Sequence, residues 1–180
     1  MSIGNSKKLA TCAAAAILSM FAALPAKAGF VGNTVHADYL FPDIGNAFTN
    51  LGDAVIGSGP EFAVTYVSTL TADISDTSIL INIFNGDALF SPSPFNGFHF
   101  FDTLGTISPI TNVSIASINR FDFNASDITF DADNIFLNFE GLIVVPDSSL
   151  LLNVSFVPEP VSALLFGLGL TVIGLGWRKA

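Results

Sequence analysis

Short segments rich in β-branched and aromatic residues, separated by turn-forming residues, recur along the middle of the chain. Glu61–Leu70 and Ser78–Phe84 are the clearest of them, and each shows partial alternation of apolar and polar side chains. Such alternation is typical of strands, while Gly, Pro, Asn and Asp between the segments favour turns. The further predicted strands are Gly97–Asp102, Val113–Ile118, Ile128–Asp133, Asn134–Glu140 and Leu150–Phe156.

The middle region shows no sustained helical period with caps, so an all-β fold is predicted. Asp43–Ala54 is the one segment that admits a short helix, although Gly45 and Gly52 weaken that prediction. Strands at intervals of about ten residues favour a single β-sandwich or jelly-roll-like domain. Sixteen of the 18 phenylalanines fall in residues 29–157, and we expect most of them in its core.

The N-terminal end has the three-part pattern of a secretory signal peptide. Two lysines precede the apolar run Leu9–Leu24, and small residues stand at Ala26 and Ala28, the two positions that signal peptidase recognises. We therefore expect residues 1–28 to be a helical signal peptide that is cleaved after Ala28; a buried N-terminal helix is the alternative. Cys12, the only cysteine, lies within this segment, so the exported part has no thiol or disulfide.

Residues 29–157 are strongly acidic, and this charge excludes one class of partner. They hold fourteen acidic side chains against the single base Arg120, for a formal net charge of −13. Such a surface repels phosphate backbones, so nucleic-acid binding is not expected. The charge is consistent with solubility or with binding of divalent cations.

The C-terminal end combines a rigid motif, an apolar run and a basic cluster. Prolines at 158 and 160 restrict the backbone around Glu159 to extended conformations. Val161–Trp177 then has no charged residue, and as a helix its 17 residues span about 25 Å, enough for a thin bilayer. Arg178 and Lys179 would stop transfer and stay cytoplasmic, which leaves residues 29–157 outside.

This tail, Val157–Ala180, resembles the PEP-CTERM sorting signal of Gram-negative bacteria. The resemblance implies that an exosortase, an integral membrane enzyme, recognises Pro158, Glu159 and Pro160. It also implies an inner-membrane-anchored precursor, held through residues 161–177, that later reaches the cell surface or the extracellular space. The family is associated with exopolysaccharide and biofilm formation. A plain C-terminal membrane anchor is the alternative interpretation of residues 158–180.

An acidic cluster is the one candidate for a metal site, and calcium is the ion that its oxygen atoms suit. Its spacing departs from an EF-hand loop, since no glycine stands at the sixth position and an aspartate replaces the terminal glutamate. Alternatively, these residues face solvent between the inward-pointing Phe121, Phe123, Ile128 and Phe130, and no metal or cofactor is then expected. The cluster comprises Asp122, Asn124, Asp127, Asp131 and Asp133.

No catalytic residue is predicted. His36 and His99 are the only histidines, and neither lies in a nucleophile motif such as Gly-x-Ser-x-Gly. Between Phe98 and Phe100, His99 is expected to face the polar side of a strand. The sequence therefore predicts a non-enzymatic exported protein of the cell surface or matrix. The alternatives are a calcium-dependent adhesin or polysaccharide-binding module, and a secreted hydrolase.

Overall fold

The computed structural model describes residues 28–65, 68–85 and 87–158, which contain twelve strands and one short 3-10 turn joined by loops. In chain order the strands are β1 (Thr34–Leu40), β2 (Ala47–Val55), β3 (Phe62–Thr65), β4 (Thr69–Ser75), β5 (Ser78–Phe84), β6 (Ala88–Leu89), β7 (Gly97–Phe101), β8 (Ile110–Asn119), β9 (Ile128–Phe130), β10 (Asn134–Asn138), β11 (Ile143–Val144) and β12 (Ser148–Phe156). The 3-10 turn spans Ala125–Asp127. The prediction of an all-β fold is confirmed.

The strands form two five-stranded sheets and one two-stranded sheet. The first sheet has the order β2-β1-β7-β10-β9, the second has the order β3-β4-β5-β12-β8, and β6 pairs with β11. Every pair is antiparallel. At Gly97, opposite Asn138, a side chain would overlap the backbone carbonyl of Leu137, so the close approach of β7 and β10 requires glycine.

The two five-stranded sheets share one hydrophobic core. Alternate residues of each central strand are buried, as Val35, Ala37 and Tyr39 are on β1, because successive side chains of a strand point to opposite faces. Phe62 of the second sheet lies 6.0 Å from Phe100 of the first, measured between ring centroids. Residues Ala28–Pro158 form one compact unit around this core, which is what a segment needs to fold by itself.

Two local predictions were wrong. Asp43–Ala54 is not helical, because β2 occupies most of it and pairs with β1. Gly52 has a φ of 81° next to a register shift, so it forms a β-bulge within β2. Glu61–Leu70, predicted as one strand, contains β3 and the start of β4.

The expectation that most phenylalanines lie in the core was only half right. Of the sixteen in residues 29–157, eight are buried, namely Phe30, Phe62, Phe90, Phe95, Phe98, Phe100, Phe123 and Phe139. Phe121 and Ile128 are partly buried against the core, whereas Phe130 is 36% exposed. Phe130 differs because its strand β9 is a three-residue edge strand that pairs only with β10.

The predicted signal peptide and the predicted membrane helix of residues 161–177 lie outside the described residues, apart from Ala28. Within the described ranges, no helix has the length and hydropathy that crossing a bilayer requires.

Candidate functional site

The outer face of the first sheet carries both histidines of the chain. In the register of the sheet, His36 on β1 lies opposite Phe101 on β7, and His99 lies opposite Asp38. Two rows of side chains therefore run across the strands on this face. The first row is Asp53, His36, Phe101 and Asn134, and the second is Asn50, Asp38, His99 and Phe136.

His36 is held by two hydrogen bonds that fix its tautomer. Its Nδ1 lies 2.7 Å from Oδ1 of Asp53, and its Nε2 lies 3.1 Å from the side-chain nitrogen of Asn50. A carboxylate only accepts and an amide nitrogen only donates, so Nδ1–H donates to Asp53 and Nε2 accepts from Asn50. Both ring nitrogens of His36 are therefore occupied.

His99 belongs to a stack of aromatic rings. Its ring centroid lies 4.1 Å from that of Phe136 and 4.4 Å from that of Phe101, with interplanar angles of 7° and 17°. Its Nε2 lies 2.9 Å from Oδ1 of Asn134, to which it donates. Burial among these rings lowers the pKa of His99, although the Asn134 hydrogen bond and the charge of Asp38 oppose the shift. His99 is thus a strand residue on the outer face, packed between rings rather than open to solvent.

Asp38 has a buried carboxylate oxygen with no hydrogen-bond partner among the residues that the structure describes. Its side chain is 15% exposed, and Oδ1 lies 3.6 Å from Nε2 of His36, beyond hydrogen-bond distance. An unpaired buried acceptor is unfavourable, since desolvation of such a group costs about 1–3 kcal/mol. Asp38 therefore retains a buried oxygen that could accept a hydrogen bond.

The geometry of this face does not assemble a nucleophile. The hydrogen-bond partners of His36 and His99 are aspartate and asparagine side chains, not a serine or threonine hydroxyl. The ring faces of His99 are covered by Phe101 and Phe136, so they offer no open surface on which a sugar could stack. The cluster fits a stabilising function on the outer face better than a chemical one.

Most side chains of the predicted acidic cluster that form hydrogen bonds accept them from backbone N–H groups of their own turns. The side chain of Asn124 accepts from the backbone N–H of Ser126, and Asp127 accepts from the backbone N–H of Asn124, forming a capping box. Asp131 Oδ1 accepts from the backbone N–H groups of Asp133 and Asn134, and hydrogen bonds from Asn134 and Asp133 lower its pKa. Asp122 is exposed. In residues 28–65, 68–85 and 87–158, no three His, Cys, Asp or Glu side chains are placed to hold a metal ion.

The proximity of His36 and His99 was missed by sequence reasoning. The residues are far apart in the chain, and β1 was not singled out as a strand. The alternation in Thr34–Leu40 was the available signal, since it places His36 and Asp38 on one face. Sequence gives no register between distant strands, so the pairing with β7 could not be derived.

Most of the predicted sorting residues lie outside the described residues. Pro158 is described, whereas Glu159, Pro160, Arg178 and Lys179 are not, and neither is Ala26 of the signal-peptidase site.

Comparison with protein-family models, curated proteins and solved structures finds no match to this chain.

Proposed function

We propose that this chain is an exported, non-enzymatic protein that an exosortase-type system sorts to the cell surface or extracellular matrix of a Gram-negative bacterium. The observation that carries the proposal is the order of features in the tail: Pro158-Glu159-Pro160, the uncharged Val161–Trp177 and the basic Arg178-Lys179. The motif is extended, and it precedes an apolar segment long enough to span a bilayer and a basic cluster that stops transfer. This order would hold the motif next to the membrane, where a membrane enzyme could recognise it.

The bounds of the folded unit support this proposal. The compact unit is Ala28–Pro158, and it begins and ends within one residue of the predicted cleavage site and the sorting motif. Export followed by removal of both ends would thus release a whole unit. We further propose that its two sheets form a β-sandwich of the jelly-roll type, between an N-terminal signal-peptide helix and a C-terminal transmembrane helix.

The partners in this proposal follow from the same segments. Signal peptidase acts at Ala26 and Ala28, the membrane holds residues 161–177, and an exosortase recognises the motif. Exopolysaccharide is the proposed matrix partner. The net charge of −13 on residues 29–157 favours neutral or cationic polymers over anionic ones.

The two alternative functions have less support. A calcium-dependent adhesin needs free carboxylates, and Asp127 and Asp131 are engaged by backbone N–H groups of their own turns. A secreted hydrolase needs a base next to a nucleophile, and both histidines are bonded to aspartate or asparagine instead.

Replacing Pro158-Glu159-Pro160 by alanines tests the proposed sorting. The variant and the unchanged chain are produced in a Gram-negative host that has an exosortase, and cell fractions are separated. We expect export to persist, because the signal peptide and span are intact, but the variant should accumulate in the inner membrane. Appearance of the variant at the surface in the normal amount would contradict the proposal.

The chain offers a matched control in its other Pro-x-Pro sequence, Pro92-Ser93-Pro94. Alanine at Pro92 and Pro94 should leave the sorted fraction unchanged. Deleting the exosortase gene of the host should reproduce the effect of the motif variant on the unchanged chain. A plain membrane anchor predicts instead that the motif variant, the control and the deletion all give the same distribution.

A further inference from the structure

A cleft of about 260 Å³ opens where the two large sheets approach each other beside the small one. Its walls come from β1, β2, β3, β4 and β6 and from residues next to the ends of β1, β4, β6 and β7. Six apolar side chains line most of it: Phe41, Phe48, Val64, Leu70, Leu89 and Phe90. Among the described residues that line the cleft, none is charged. The lining therefore suits a ligand that is apolar over most of its surface.

Two of these apolar side chains are held at the surface. Phe48 is 53% exposed and Leu89 is 62% exposed, although both line the cleft. Ile143, which pairs with Leu89 across β6 and β11, is 67% exposed and extends the apolar surface without lining the cleft. Exposed apolar side chains that adjoin an apolar cavity mark a binding site rather than ordinary surface.

A buried amide supplies a polar group to the cleft. Asn96 is 6% exposed; its Oδ1 accepts from the Tyr39 hydroxyl at 2.8 Å, and its Nδ2 donates to the Ser91 carbonyl at 3.2 Å. These bonds use one of the two amide hydrogens and one of the two oxygen lone pairs, so Asn96 can also bond a ligand. Burial raises the pKa of Tyr39, which keeps its hydroxyl a neutral donor.

The size and the charge of the surroundings define the ligand further. An apolar cavity of about 150 Å³ binds benzene, and pockets for drug-sized ligands begin at about 300 Å³. The cleft lies between these limits, which fits a body of about two fused rings. The net charge of −13 on residues 29–157 disfavours an anion, as does the cost of desolvating it against apolar walls.

We propose that this cleft binds a small uncharged molecule with an apolar body the size of two fused rings and one hydrogen-bonding group directed at Asn96. This site is independent of the sorting proposed above. The walls exclude water from the body of the ligand, while the amide selects for a hydroxyl or carbonyl group. The affinity comes mainly from burial of apolar surface.

Titration of residues 28–158 with 2-naphthol tests this site, because the probe is neutral at pH 7 and carries one hydroxyl. Binding is followed through the backbone amide signals of Phe90 and Asn96 in nuclear magnetic resonance spectra. We expect saturable shifts of these signals with a dissociation constant below about 1 mM. The anion 2-naphthoate, which has the same rings, should bind at least about tenfold more weakly. Failure of 2-naphthol to saturate, or equal binding of the anion, would overturn the proposal.

Leu89→Ala and Ile143→Ala form a matched pair of variants. The two residues are paired neighbours with similar exposure, and only Leu89 lines the cleft. Leu89→Ala should weaken 2-naphthol binding about fivefold, since it removes part of the wall, and Ile143→Ala should leave binding unchanged. Equal effects of the two variants would show that the probe adheres to the exposed patch, and the assignment to the cleft would then be wrong.

Discussion

The two faces of the first sheet both carry stacked aromatic rings, yet they lie in different environments. On the inner face Phe98 and Phe100 stack with centroids 5.3 Å apart, and they are 0% and 2% exposed. On the outer face His99 and Phe136 stack at 4.1 Å and are only partly buried. Along β7 the two faces alternate, so Phe98 and Phe100 point into the core while His99 and Phe101 lie on the outer face.

The difference between the faces shows what aromatic residues contribute in each setting. The second sheet contributes to the same core as the inner face, so rings there exclude water completely and their burial stabilises the fold. Rings on the outer face gain mainly from each other, and such pairs contribute about 0.5–1.5 kcal/mol beyond area burial. Outer rings should therefore tolerate truncation far better than inner ones.

Truncation of an inner ring is the largest expected effect. Phe98→Ala should lower the free energy of unfolding by about 3–5 kcal/mol, because it removes a buried ring and leaves a cavity. Phe130→Ala, on the exposed edge strand β9, should lower it by less than about 1 kcal/mol. Urea denaturation of residues 28–158 measures both, and comparable losses would contradict the distinction between a buried central strand and the exposed edge of the same sheet.

Truncation within the outer stack should have an intermediate effect. Phe136→Ala removes the contacts of that ring with His99 and Phe95, so we expect a loss of about 1–2 kcal/mol. Phe84→Ala is the matched control, since Phe84 lies on the second sheet and is 41% exposed. A loss no greater than that of the control, in the same denaturation experiment, would mean that the outer stack contributes nothing to stability.

The sequence predicted several strands but not their places in the sheets. Alternation identified Ser78–Phe84 as a strand, and it separated His99 from its neighbours Phe98 and Phe100. It could not give Phe130 its place on a sheet edge, because edge and centre differ only in long-range pairing. The bulge at Gly52 could not be predicted for a similar reason: glycine occurs in turns and in bulges alike, and only the register distinguishes them.

The candidate sites were less predictable than the strands. Acidic residues such as Asp127 and Asp131 cluster in the sequence, and this clustering suggests a calcium site. In the structure their carboxylates accept hydrogen bonds from nearby backbone N–H groups instead. The cleft is lined by residues of different sheets, such as Leu89 and Phe48, that are far apart in the sequence. Sequence periodicity carries no such information, so the cleft emerged only from the structure.

Acidification should lower the free energy of unfolding through protonation of His99. Its pKa in the folded protein is lowered from the usual value of 6.5 by burial, so the unfolded chain binds more protons below pH 6.5. Stability linked to His99 is thus present above pH 6.5 and is lost as the pH falls through the folded-state pKa. We expect the free energy of unfolding of His99→Gln to decline less than that of the unchanged protein between pH 7 and 5. Parallel declines would rule out this contribution, since the other titrating groups are common to both proteins.

Salt should have the smallest effect, and it acts only on the exposed charges. With a net charge of −13 on residues 29–157, repulsion between carboxylates opposes the compact state, and at 0.1 M salt the screening length is about 10 Å. We expect NaCl to stabilise the domain by about 0.5 kcal/mol, which corresponds to a rise of about 2 °C in melting temperature. The inner face contributes nothing to this response, because its core is apolar.

Calcium at fixed ionic strength separates general screening from a specific site. A site that binds only the folded state raises stability once the ion exceeds its dissociation constant, so a true site responds to far lower concentrations than screening requires. Because Asn124, Asp127 and Asp131 already accept hydrogen bonds from their own turns, we expect CaCl₂ to add no rise in melting temperature beyond that of NaCl. A saturating rise below about 1 mM CaCl₂ that disappears in Asp131→Asn would instead favour the calcium-dependent adhesin.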